Sequence, residues 1–581
     1  MRTRYSPCGQ RQGTAGFVRR ILGALAAICL AAVLAAGCAS TEPEPGPTPP
    51  ADSAASQSAD SAAGQSADSA AGQPADSEAG AAAFALDRAQ PAMGKSRGVY
   101  YEIFVRSFHD SDGDGIGDLR GVIERLNYLQ DLGIKGIWLM PIHPSPSYHG
   151  YDVTDYYEVN PEYGTLADFR ALTEAAHERG IEVIIDLVVN HSSSEHPWFK
   201  SALGDKNSPY REWYTFADGT RPEESQLGAW GQQAWHGTGA NKYVGIFWEG
   251  MPDLNLDHPD VRAEMIKIGQ FWLKQGADGF RLDAAKHIYE DFQSSVNNPD
   301  VAKKNQAWWQ EFRRGLNEVD PDAYLIGEIW DAASVVGPYL DHGLDSGFNF
   351  DLAKMLVNAA KLERASTIPS VLSKTYSFFS KQSDGDFIDA PFLTNHDQNR
   401  VMSELDGHGE RAKMAASLLL TMPGTPYIYY GEEIGMRGVK PDEQIREPML
   451  WSSDSKAAGQ TRWQPSKHAD GVVPAEEQLK DPSSLLRHYQ TMIAWRNEEP
   501  LLADGAILPY AGVPNEVLAF IRLNEDDQML VLHNLSAREQ TVGLGARPDL
   551  PFGEMVRSTK EEAALRDGVV TLPPYSSVLL K

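Results

Sequence analysis

From about residue 97 onward, apolar strand-like runs alternate with helix-period segments, and this alternation restricts the fold more than any other feature of the chain. Eight runs read as strands: residues 99–105, 136–141, 183–191, 279–284, 324–330, 344–350, 392–397 and 427–433. Amphipathic stretches separate them. Residues 166–179 place Leu166, Phe169, Leu172 and Ala176 on one face, and residues 261–274 are rich in Met, Ile, Phe and Trp. Eight such units over about 400 residues predict an α/β fold, a (β/α)8 TIM barrel, with its functional side chains at the C-terminal ends of the strands. The barrel is assigned to residues 97–190 and 250–498. The intervening residues 191–249, rich in Trp, Tyr and Gly, are expected to form a small inserted domain after the third strand that walls the cleft. Beyond Trp495 the runs become short and alternating, as in residues 517–523, 528–535 and 576–580. They predict a C-terminal antiparallel β-sandwich over residues 499–581.

Three of the strand-like runs break off into a carboxylate: GFRLDAAKH at Asp283, LIGEIW at Glu328 and FLTNHD at Asp397. Acidic groups are costly at the mouth of a packed core, so three of them converging on one open face indicate chemistry. Arg281 stands two residues before Asp283, hence on the same face of its strand, where a direct charge pair would keep Asp283 ionised. Neighbouring carboxylates would push Glu328 the other way, toward retaining its proton. This is the division of labour that cleavage of a glycosidic bond with retention requires.

A second acidic feature is Asp110-Ser111-Asp112-Gly113-Asp114-Gly115-Ile116-Gly117-Asp118, whose acids fall at positions 1, 3, 5 and 9 of a loop that begins like an EF-hand. Position 12 is Gly121, so it is not an EF-hand. The side chains of Asp110, Asp112, Asp114 and Asp118 with the backbone carbonyl of Ile116 are the candidate ligands of a hard cation, and Ca2+ is the expected ion.

The N-terminal residues specify an address. Arg2, Arg4, Arg11, Arg19 and Arg20 precede an apolar stretch over residues 21–37 that ends in Leu34-Ala35-Ala36-Gly37-Cys38. This pattern resembles a bacterial lipoprotein signal, with Ala35 where Leu or Val is more usual. Cleavage before Cys38 and acylation there would tether the protein to the outer face of a cell membrane, the only membrane association expected. Residues 39–96 then form a Pro-, Ala- and Ser-rich spacer containing four octapeptide repeats, ADSAASQS, ADSAAGQS, ADSAAGQP and ADSEAGAA. Cys8, Cys29 and Cys38 are the chain's three cysteines, so the folded part has no disulfide and no thiolate chemistry. A net charge of −28 argues against nucleic acid as a partner. A monomer acting on a neutral substrate is expected.

With these residues in view, the chain resembles the α-amylase family of retaining glycoside hydrolases, glycoside hydrolase family 13. DLVVNH (186–191), GFRLDAAKH (279–287), GEIW (327–330) and FLTNHD (392–397) match its four signatures in order. The resemblance implies that Asp283 is the nucleophile, Glu328 the general acid/base and Asp397 the stabiliser of the distorted sugar. It implies that Tyr151 stacks on the reacting glucose, that Asp152 contacts it, and that His191 and His396 donate to its hydroxyls. Arg281, Lys286, His287 and Arg400 complete the substrate-binding set, and the resemblance offers Asn190 as a ligand for a second calcium. Ala284 and the Lys286-His287 pair resemble members that cleave α-1,4 bonds in starch-type glucans or maltooligosaccharides. The segment Met251-Pro252-Asp253-Leu254-Asn255 resembles an intermediate subfamily of mixed specificity that includes lipoproteins. α-Glucosidase, neopullulanase-like and transglycosylase activities therefore remain alternatives. A non-catalytic binding scaffold is the alternative of another class, and the presence of all three carboxylates speaks against it.

Overall fold

The computed structural model describes residues 91–221, 225–228, 231–289, 298–545 and 552–581. The signal segment, Cys38 and the repeats lie outside the described residues. Seven strands form one parallel sheet in the order Ser346–Gly347, Tyr324–Gly327, Gly279–Leu282, Glu182–Leu187, Gly136–Leu139, Tyr100–Ile103 and Tyr427–Tyr429. Two parallel bridges, Phe348 to Ala390 and Phe392 to Tyr427, insert the remaining segment between the last strand of this order and the first. The ring is thereby closed with eight positions, as the alternation predicts.

Aromatic side chains fill the barrel. Tyr100, Trp138, Tyr324, Phe348, Phe350, Phe392 and Tyr427 pack with Ile184, Ile326, Ile388 and Ala390 into one cluster. The strands are shorter than the runs that announced them. Residues 344–350 contribute only Ser346–Gly347 to regular pairing, and residues 392–397 leave the sheet after Phe392. Beyond that point the backbone must carry Asn395, His396 and Asp397 to the open end, and further ladder bonds would hold it back in the wall.

The helices begin and end where local chemistry dictates. Helix Leu166–His177 starts on a capping box in which Thr165 and Asp168 satisfy each other's backbone amides, and it buries Phe169, Leu172 and Ala176. Helix Pro259–Lys274 opens with proline in its first turn and buries Val261, Met265, Ile268 and Trp272.

After strand Glu182–Leu187 the chain makes its excursion: helix Pro197–Gly204, then a short hairpin pairing Trp235–His236 with Tyr243–Val244. Bridges from His191 to Asp253 and from Tyr214 to Leu254 pin the returning segment beside the cleft. At the C-terminus, a five-stranded antiparallel sheet has its central strands, Val517–Leu523 and Gln528–Asn534, buried on both faces. Leu518, Phe520, Met529 and Val531 join the barrel-side core, while Val517, Ala519, Ile521, Leu530 and Leu532 face a cluster shared with a second sheet of three strands. Period-2 alternation thus serves two cores at once. Among the described residues no helix is long and apolar enough to cross a membrane.

Candidate active site

The centre of the site is Arg281, 1% exposed on strand Gly279–Leu282. Its Nη1 donates to Asp283 Oδ1 at 2.7 Å and to Asp186 Oδ1 at 2.8 Å, and its Nη2 lies 2.8 Å from Glu328 Oε2. Its guanidinium also lies 5.2 Å from the ring centre of Trp138 and 5.7 Å from that of Tyr151. The strand ends are joined by backbone bonds from Asp283 N–H to Leu187 O and from Glu328 N–H to Leu282 O. Immediately after Asp283 the backbone turns left-handed at Ala284, with φ of 46°. A non-glycine residue adopts that conformation only when its surroundings impose it. The turn aims Ala284 N–H at Glu328 Oε2, 3.1 Å away. One arginine and one strained amide therefore hold two carboxylates side by side.

Their protonation follows from burial and neighbours. Burial pushes Glu328 upward from the usual carboxylate range, Arg281 opposes it, and the charges of Asp283 and Asp397 add to the rise. Burial raises Asp283 as well, against the direct pairing with Arg281. Asp186, fully enclosed beside them, is pushed up to about 7, chiefly by burial. Asp397 goes the opposite way. Burial works against its ionisation, but His396 and Arg446 outweigh burial and hold it well below the usual range. Asp283 and Glu328 thus shift in the same direction, so Arg281 does not hold Asp283 below the usual range as its place on the strand suggests, because burial outweighs the pairing; of the three carboxylates it is Asp397 that is held low.

Asp283, Glu328 and Asp397 line a cleft of about 770 Å³, within the range of small-molecule sites, with Asp186 and Arg281 buried behind them. Tyr151, His191, Lys286 and His287 line it too. The Tyr151 hydroxyl lies 3.0 Å from Asp186 and 2.7 Å from His396 Nε2. Burial lowers His191 to about 4, so the imidazole facing the cleft is neutral. Lys286 Nζ bonds to Trp330 O and Asp331. Phe247, Trp248 and Met251, from the end of the excursion and just beyond it, complete one wall.

Three expected sugar contacts are placed differently. Asp152 is buried and turned from the cleft, accepting from the hydroxyls of Ser145 and Ser147, so it shapes the loop that carries Tyr151. Arg400 lies beneath the cleft floor, donating to the carbonyls of Ile445 and Tyr430 and packing on the rings of Tyr429 and Tyr430. His396 is fully buried behind Asp397 and Tyr151, so it acts on those side chains. Three other residues went unread in the sequence. Arg446 and Asp442 line the cleft beside Asp397, and Glu102 holds His396 from behind. For Glu102 a signal existed, a lone acid inside the apolar run of residues 99–105; for Arg446 there was none.

In the acidic loop, carboxylate oxygens of Asp110, Asp112 and Asp118 converge to within 4.8 Å of one another. Asp114 stands outside that group and accepts from Ile116 N–H. Asp118 also caps helix Leu119–Leu132. An all-oxygen donor set of this kind fits a hard divalent cation. Asn190 is spent elsewhere: its amide donates to the His287 carbonyl and its oxygen faces His191.

A closed (β/α)8 barrel with paired carboxylates around one arginine at its open end defines a glycosidase-type site, and the comparisons give the family. The catalytic domain of α-amylase matches residues 102–505, and the C-terminal domain of the α-amylase SusG matches residues 517–579. The chain belongs to the α-amylase family of glycoside hydrolases. It is 42% identical over 486 residues to "Alpha-amylase 3" of Dictyoglomus thermophilum, covering 83% of this chain and 93% of that one. It is 34% identical over 449 residues to a 4-alpha-glucanotransferase of Thermotoga maritima, covering 76% and 96%. The crystal structure of an α-amylase from H. orenii superposes with a TM-score of 0.76 at 45% identity, covering 84% of this chain and 99% of that one.

Proposed function

We propose that this enzyme hydrolyses α-1,4-glucosidic bonds in starch-type glucans or maltooligosaccharides with retention at the anomeric carbon. The Asp283 carboxylate attacks that carbon and forms an ester to the glycosyl unit, while Glu328 gives its proton to the departing oxygen. Water then cleaves the ester as Glu328 takes the proton back. Asp397 supports the positive charge that develops on the sugar between these steps. The observation that carries this reading is the bracing of Asp283 and Glu328 by the two terminal nitrogens of Arg281 at the floor of an open cleft.

A specific observation favours a second activity. Trp330, two residues after Glu328, is 50% exposed in the cleft and stacks on Phe350 with ring centres 4.5 Å apart and planes 9° apart. A rigid aromatic face next to the proton donor suits the leaving sugar, and equally a second sugar competing with water for the glycosyl-enzyme. The likeness to a 4-alpha-glucanotransferase supports transfer alongside hydrolysis.

Ca2+ is assigned to Asp110, Asp112 and Asp118, where it would neutralise the loop and leave the chemistry to the cleft. Export and acylation at Cys38 would hold the enzyme outside the cell at the end of its spacer. The product profile from soluble starch, maltooligosaccharides, pullulan and isomaltose tests the main reading. Short maltooligosaccharides from starch are expected. Glucose alone would move the assignment to an α-glucosidase, products longer than the substrate would establish transfer, and no cleavage of any α-glucan would refute the reading.

A further inference from the structure

Asp397 ends a line of alternating charges that begins behind the cleft. Glu102, 2% exposed on the first barrel strand, accepts from His396 Nδ1 at 2.5 Å. His396 Nε2 lies 3.0 Å from Asp397 Oδ2. On the other side, Arg446 Nη2 donates to Asp397 Oδ1 at 2.9 Å, and Asp442 Oδ2 lies 3.3 Å from the same nitrogen. Arg446 Nε also donates to the His396 carbonyl at 3.0 Å, gripping the backbone beside the carboxylate as well as the carboxylate itself. Each oxygen of Asp397 therefore meets its own cation, and each cation is backed by its own acid.

We propose that Glu102 and Arg446 are positioning residues that fix the charge and location of Asp397, Glu102 acting through His396. A neutral imidazole offers one N–H. Here both ring nitrogens face carboxylates, Glu102 on one side and Asp397 on the other, so two protons satisfy both and the flanking charges favour the cation. A buried carboxylate is what makes a buried imidazolium tolerable. Around the ring stand Glu102, Asp397 and the Tyr151 hydroxyl, Arg446 at its carbonyl, the edge of Trp138, and the charges of Asp186 and Asp283. Burial works against its protonation, yet Asp397 and Glu102 raise it to about 9. The inference rests on glycosidase action at this cleft and not on which glucan is cut.

Glu102→Gln preserves shape and an acceptor while removing the charge. In protein labelled with nitrogen-15 histidine, His396 is expected to be cationic at pH 8 in the native chain and mostly neutral in the variant. The value of kcat should fall roughly 10- to 100-fold with KM nearly unchanged, as for other residues that orient a catalytic group, and the loss should deepen from pH 6 to pH 8. Arg446→Met tests the other side and covers the case in which Glu102→Gln does not fold: a carbon-13 titration should find Asp397 protonating at higher pH, with Arg446→Lys recovering part of the difference. Wild-type kcat in Glu102→Gln with a neutral His396, or lost activity with His396 still cationic, would overturn the role of Glu102. An unmoved Asp397 titration in Arg446→Met would overturn that of Arg446. The titrations need no substrate, so their failure is separable from failure of the glucan-cleaving reading.

Discussion

Two regions bury arginines completely and compensate them in opposite ways. In the cleft, Arg281 meets Asp186, Asp283 and Glu328. At the junction between the barrel helices and the C-terminal sheet, the hydrogen bonds of Arg496 and Arg522 go to backbone carbonyls, and Asp504 acts on both without a direct ion pair. Arg496 donates to Leu420, Met422, Leu502 and Gly424, and Arg522 to Thr421, Leu502, Gly505 and Ala506. Several of these oxygens end helices Gly409–Thr421 and Pro500–Asp504, where the backbone dipoles are negative and the last carbonyls lack partners. Dipoles compensate a charge less completely than charges do. Burial depresses both junction arginines to about 9, with the like charge of Arg496 adding to the fall at Arg522, whereas Arg281 is held well above its ordinary value despite equal burial. Charge set against charge can change its protonation during a reaction; charge set against dipoles only ties two layers together.

The largest effects should come from breaking the first region. Asp283→Asn keeps size and packing but removes the attacking oxygen, so turnover is expected to fall by several orders of magnitude with the melting temperature little changed. Activity close to wild type would end the assignment. Glu328→Gln should match that loss on natural glucans and lose far less on glucosides whose leaving group needs no proton. Equal losses on both substrates would mean that Glu328 is not the donor.

The second region should break in the complementary way. Arg522→Met removes the side-chain donor from the carbonyls of Thr421, Leu502, Gly505 and Ala506, and each buried acceptor left unmet costs about 1–3 kcal/mol. Relief of the buried charge offsets part of this, leaving a net loss of about 2–4 kcal/mol in urea unfolding. The kcat of the surviving folded enzyme should be unchanged. A drop in kcat without a drop in stability would erase the contrast between the regions.

How much of each region the sequence announces differs in the same sense. Asp283, Glu328 and Asp397 are legible because each breaks an apolar strand run, and Arg281 because period 2 puts it on the face of Asp283. The ring of eight is legible for the same reason of period. Contacts across the barrel are not: Glu102 and His396 are 294 residues apart, and only closure of the sheet brings them together. Adjacency also misleads. Tyr151 faces the cleft while Asp152 turns to Ser145 and Ser147, because a loop has no period from which to read direction. Arg522 sits in a strand whose residues are all buried, where nothing in the sequence accounts for a charge until the helix ends it serves are known.

The acidic loop is a third case, in which like charges converge with no buried arginine among them. Arg462 lies 3.9 Å from Asp110. If Ca2+ completes this site, a hundredfold excess over its Kd adds about 2.7 kcal/mol to the folded state. Chelation should lower the melting temperature before it affects turnover, and Asp112→Ala should remove most of that sensitivity. Identical melting with calcium and with excess chelator would leave the loop as a solvated turn whose acids serve only as caps.

The smallest expected effect is a pH dependence of stability from the charge line at Asp397. His396 is raised in the folded chain from about 6.5 to about 9, so between those values the folded state holds a proton that the unfolded state has released. Its contribution is complete below pH 6.5 and is lost as pH rises through 9. Stability should therefore fall across this window by something on the order of 1–3 kcal/mol. Asp397 runs in the other sense: its contribution is present above the ordinary carboxylate range and is lost only in strong acid, so it does not mask the effect. The paired variant Glu102→Gln with His396→Gln removes acid and imidazole together and leaves Asp397 its contact with Arg446. Urea midpoints measured from pH 6 to 9.5 should decline more steeply in the native chain than in the paired variant, which keeps the contributions of the other shifted groups such as Asp186; parallel declines would mean that His396 contributes nothing to the slope.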